Sequence, residues 1–91
     1  MIELITITRI ADNWYLNKVA VNSQHISTIV ESQEHNRLLR EGKIDLPLDA
    51  QVTFSRVQMA IKSGFNEFIV VGSPSAITEK LNHNTKQLLK G

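Results

Sequence analysis

Apolar and polar residues alternate along most of this chain, and the period changes only toward its end. In residues 2–10 Ile, Leu and Thr dominate, with Ile5 and Ile7 on one side of an extended chain and Leu4, Thr6 and Thr8 on the other. That alternation predicts a strand. Ala11, Asp12 and Asn13 then predict a turn, because Asp and Asn tolerate left-handed geometry and bond their own backbone. Residues 14–22 predict a second strand that pairs back as a hairpin and is broken at Asn22 and Ser23. From His25 to Glu31, the spacing of Ile26, Thr28 and Val30 predicts a short third strand.

Residues 32–49 differ in character. Ser32 is suited to cap a helix, Leu38 and Leu39 lie on one side of it, and Gly42 is suited to end it. Pro47 enforces an extended exit. In so small a domain, an inserted excursion of this length is expected to be an interaction element, not part of the core.

Residues 52–61 predict a fourth strand with a change of phase. Val52 and Phe54 point one way, while Val57, Met59 and Ile61 point the other, so a bulge near Ser55 and Arg56 is expected. Gly64 supplies positive φ in the turn that follows Lys62 and Ser63. Residues 65–71 predict a fifth strand, and its run Ile69-Val70-Val71 predicts cover on both faces.

The period then becomes helical. Ile77, Leu81 and Leu88 form a stripe flanked by Ala76 and Leu89, with Leu81 at its centre, in a helix from Pro74 to Lys90. Lys86 and Lys90 sit where cations suit the helix dipole. The pattern as a whole predicts one α+β domain over residues 1–91, with an inserted segment at 32–49. It has an antiparallel sheet of about five strands, one C-terminal α-helix and a short inserted helix.

Composition narrows the functional classes. A chain of 91 residues buries only a thin core, which association between copies would supplement. The formal charge of +1 argues against a general nucleic-acid or membrane surface. The chain has no cysteine, so there is neither a disulfide nor a thiolate site. The first residues are too short and too interrupted for a membrane span and lack the basic start of a signal peptide. These features predict a soluble, cytoplasmic protein.

The turn Gly72-Ser73-Pro74-Ser75 invites a phosphate reading, since a helix N-terminus favours anions. It lacks the glycine spacing of phosphate loops, however. Ser73 as N-cap with Pro74 in the first helical position accounts for it more simply.

His25, His35 and His83 share no metal-ligand spacing, and no cofactor is implied. No nucleophile motif occurs, which points away from an enzyme. Trp14 and Tyr15 are adjacent on a strand and face opposite sides. The outward one, with Leu38 and Leu39, is a candidate for an interface. Arg37, Arg40 and Lys43 in the insertion, with Arg56 on the next strand and Ser73 at the turn, are candidates for holding a phosphate or carboxylate.

In order of elements the chain resembles the FlbD-like family of small proteins found beside flagellar genes. The similar pieces are Ile5 to Ile10, Asn22 with Ile26 and Ile29-Val30-Glu31, then Val57, Met59 and Gly64, and last Val70-Val71-Gly72-Ser73 with Ile77. The chain departs from that pattern at Gly72, where the family favours Glu. It also departs in its longer hairpin from Ala11 to Val21, in the insertion at 32–49 and in its extended final helix. The resemblance implies a small β-sheet with a C-terminal helix and carries no function. In size and texture the chain also resembles small phage-encoded accessory proteins.

The function expected from these readings is a small, non-enzymatic, homo-oligomeric interaction module that binds itself or a protein partner. The alternative is a protein that sequesters a nucleotide or another phosphorylated small molecule.

Overall fold

The computed structural model describes residues 1–90, with side chains to His83. In chain order the elements are β1 (Ile2–Ile10), β2 (Asn13–Val21), a 3-10 turn (Ser23–His25), β3 (Ile26–Glu31), α1 (Gln33–Arg40), β4 (Phe54–Ile61), β5 (Gly64–Val71) and α2 (Pro74–Lys90). The five strands form one antiparallel sheet in the order β2-β1-β5-β4-β3. Two long hairpins, β1–β2 and β4–β5, make up most of it. They meet where β1 and β5 pair at Thr6–Val70.

The first hairpin turns on Ala11 and Asp12, between the closing pair Ile10–Asn13. The left-handed position is Ala11, at φ 57°, and not Asp12 or Asn13 as their chemistry suggested. The second hairpin turns at Lys62-Ser63, with Gly64 at φ 134°, as the sequence predicted.

Both faces of the sheet are covered, and this explains the phase change in the fourth strand. Phe54 faces one cover, while Ser55, Val57 and Met59 face the other. The β4–β5 register runs without interruption from Phe54–Val71 to Ile61–Gly64, so no bulge lies at Ser55 and Arg56. Alternation alone takes the side chains to two separate cores. The irregularity falls instead on β3, between Ile26 and Thr28.

One core joins Ile2, Leu4, Val21, Val57, Met59 and Val70 to Ile77 of α2. Leu81 packs against it half-buried, so Ile77 is the deeper residue of the helix stripe. Lys80 Nζ donates to Glu3 O and ties the same helix to β1. Leu88, Leu89, Lys86 and Lys90 lie outside the residues whose side chains are described.

The second core joins Ile7 and Phe54 to Leu39 of α1 and Ile44 of the following loop, with Leu38, Leu46 and Leu48 packed around them. The segment 32–49 is therefore a lid over the second face of the sheet. The expectation that it stands apart from the core is corrected. With two apolar faces on one sheet, α2 covers one and this segment covers the other.

Candidate functional site

The densest set of polar interactions gathers where α1 begins. The Ser32 amide donates to Phe54 O at 2.8 Å, and Ser32 O accepts from the Asn36 amide at 3.1 Å. Asn36 is buried. Its Oδ1 accepts from the Phe54 amide at 2.7 Å, and its Nδ2 donates to Glu31 Oε1 at 3.0 Å. One side chain thus joins the lid helix to β3 and β4. The Ser32 hydroxyl does not bond a helix amide. It shares a hydrogen bond with His35 Nδ1 at 2.7 Å, three residues on.

His35 also sits between two aromatic rings. Trp14 meets it edge-on at 5.8 Å and Phe54 lies tilted at 6.2 Å. Burial lowers the His35 pKa from its ordinary value; Glu34 opposes that shift and the Arg56 charge adds to it. Arg9 lies over the Trp14 ring at 5.8 Å and pairs with Asp12 at 3.5 Å. Arg56 Nε is 3.2 Å from Glu67 Oε1, within ion-pair reach, yet the N–H is not aligned for a hydrogen bond. The contact is electrostatic, because the distance is short while the geometry lacks direction. Arg9, Trp14 and His35 therefore follow one another in contact, and the Arg56 charge bears on His35.

The basic residues singled out in the sequence fall into separate places. Arg37 and Lys43 flank Glu41, at 4.0 and 3.2 Å. Arg37 and Arg40 share the outer surface of α1 with Gln33 and Glu34, and Arg56 does not line it. Ser73 Oγ accepts from the Ala76 amide at 3.1 Å, as a cap should. Gly72 is also committed: its amide donates to Thr53 O at 2.8 Å and its carbonyl accepts from Ser55 Oγ at 2.7 Å. The turn thus leaves few donors for an anion.

Of the candidate interface residues, Tyr15 is exposed, Trp14 and Leu38 are half-buried, and Leu39 belongs to the core. Sequence reading missed Asn36, whose role depends on a strand eighteen residues away. It also passed over the Ser32–His35 spacing, which was visible as a variant of the capping box.

The outer side of the β1–β2 hairpin is a different kind of surface. Ile5 and Leu16 line a shallow groove with Asn17 and Lys18. Ile10 and Tyr15 are exposed on the same hairpin. Among the described residues, no group of three acidic or histidine side chains is placed to hold a metal ion. Among them, too, no helix is long and apolar enough to cross a membrane.

No protein-family model, curated protein or solved structure matches this chain.

Proposed function

We propose that this chain is a small, non-enzymatic interaction module that associates with itself through its β1–β2 hairpin. The observation that carries the reading is the bare outer side of that hairpin, where Ile5 and Leu16 share a groove beside an edge strand. An exposed strand edge is a template for pairing with another chain, and apolar side chains beside it favour that pairing. A thin core split across two faces gains from such association. The Ser32–His35 pair offers little to catalysis, because Ser32 is only 3% exposed and a nucleophile must reach its substrate. Native mass spectrometry across a concentration series tests the reading. Dimers or higher species are expected, and a monomer at every concentration would overturn it.

A second reading, capture of a phosphorylated small molecule, is favoured by Arg9 lying over the Trp14 ring beside His35, with the Arg56 charge near enough to bear on that histidine. Guanidinium groups bind phosphate bidentately, and an aromatic ring among them suits a nucleobase. Calorimetric titration with nucleoside mono- and diphosphates and cyclic nucleotides tests it. Arg9→Ala and Arg56→Ala should each weaken binding about tenfold or more, the equivalent of one lost contact of about 1.4 kcal/mol. Absence of binding by all of these ligands would overturn this second reading.

A further inference from the structure

The two edges of the sheet are built differently. β3 is a six-residue strand, its register shifts between Ile26 and Thr28, and it ends in a glutamate. Short length, a bulge and a terminal charge are the devices by which proteins blunt an edge. β2 has neither the short length nor the bulge, and its one such device is the charge of Lys18. It runs for nine residues in unbroken register with β1, contains no proline or glycine, and carries a single charge, Lys18. It is exposed except at Trp14, Val19 and Val21. An edge of this kind is a template for another strand unless a partner already occupies it.

We infer that two copies of this chain join edge to edge through β2, antiparallel about a two-fold axis at Asn17, turning two five-stranded sheets into one of ten strands. This rests on the self-association proposed above and names its surface and its register.

The backbone supplies the bonds. Ile10–Asn13 closes a two-residue turn, which makes it a hydrogen-bonded pair. In an antiparallel ladder such pairs alternate with non-bonded ones. Trp14, Leu16, Lys18 and Ala20 therefore point their N–H and C=O groups away from β1, toward a second copy.

The side chains select the register. Centring on Asn17 overlaps the whole of β2 with its copy. It sets Trp14 against the second copy's Ala20, Tyr15 against Val19 and Leu16 against Lys18. Large residues thus meet small or β-branched ones, and the lysine stem lies on leucine. Centring on Lys18 would instead oppose two like charges. A two-fold axis perpendicular to the sheet keeps both grooves on one face, so the Ile5–Leu16 surfaces of the two copies become neighbours.

The absence of native cysteine makes a direct test possible. At the centre of this register Asn17 faces its own copy in a non-bonded pair, with Cα atoms about 4.5 Å apart, inside the range a disulfide spans. Asn17→Cys, oxidised under mild conditions, should run mostly as a covalent dimer with the parent's circular dichroism. Ser27→Cys on β3 should stay uncrosslinked. Lys18→Pro removes an outward N–H without touching the β1–β2 ladder, and it should weaken dimerisation about tenfold or more. Should that variant fail to fold, Leu16→Lys serves instead, because it sets lysine against lysine. If the parent is oligomeric but Asn17→Cys does not crosslink and neither β2 variant dissociates it, the β2 interface is wrong while self-association stands. If the parent is monomeric throughout, both are wrong.

Discussion

Asn36→Ala is expected to be among the most damaging single polar substitutions in the chain. It removes the acceptor of the Phe54 amide and the donor to Glu31 together. Phe54 is fully buried, so its N–H is left with no replacement from water. An orphaned buried donor costs about 1–3 kcal/mol, and a lost bond to a carboxylate adds about 1 kcal/mol where that carboxylate is exposed, as Glu31 is. The sum is about 2–4 kcal/mol. A domain of this size has roughly 5–14 kcal/mol in total, at 0.05–0.15 kcal/mol per residue. Urea denaturation followed by the fluorescence of Trp14, which touches the lid through His35, is a suitable assay. With a slope of about 1.5 kcal/mol/M, the midpoint should fall by about 1.3–2.7 M. Asn36→Asp sharpens the test. It keeps the acceptor for Phe54 but sets a second carboxylate beside Glu31, so it should recover stability as the solution is made mildly acidic. A stability for Asn36→Ala within about 0.5 kcal/mol of the parent's would refute the claim that this side chain anchors the lid.

Ile77→Ala should cost about 2–5 kcal/mol and Leu81→Ala clearly less, since the first is 3% exposed and the second half-buried; equal losses in thermal melts would contradict that order. Because the folded His35 pKa lies below its unfolded value, the unfolded chain binds the extra proton first as pH falls. Stability should therefore decline as pH drops below about 6.5, level off below the folded pKa, and lose this component in His35→Gln; parallel pH profiles for parent and variant would exclude it. Ala11→Gly relieves a left-handed alanine worth about 1–2 kcal/mol and costs about 0.5–1 kcal/mol in chain entropy. A small rise in melting temperature is expected, and a fall would mean that the turn is not strained at Ala11.

Alternation made the first and third strands legible, and branched apolar runs bounded by turn residues did the same for the others. The cap at Ser73 was legible too, since all of its partners lie within one helical turn. The lid was not. Its contribution depends on Leu39 and Ile44 meeting Ile7 and Phe54, contacts set by the sheet order and not by local spacing. The same cause misplaced the bulge. A strand covered on both faces shows apolar residues in both phases, and that pattern imitates a slip in register. The candidate site suffered for a related reason. Arg37, Arg40 and Lys43 drew notice by being close in sequence, whereas Arg9 meets Trp14, and the Arg56 charge bears on His35, from strands far apart along the chain.

Stability and association fall on different parts of this sheet. The most deeply buried side chains, Phe54, Val57, Val70 and Ser55, all belong to β4 and β5. β2 lies at the outer edge, with β1 between it and β5. Its exposed positions contribute little to either core, so substitutions there perturb folding weakly. Any large change they produce in assembly must then come from the edge itself. Asn36 and Ile77 behave in the opposite way, as each ties a covering helix to the sheet. Loss of either should reduce dimer and monomer stability alike, because the edge presented by β2 depends on a sheet that these two residues help to hold. Variants at Leu16 or Lys18 that lose assembly while keeping the parent's urea midpoint, measured at concentrations where both are monomeric, would therefore locate binding on the hairpin independently of the crosslink.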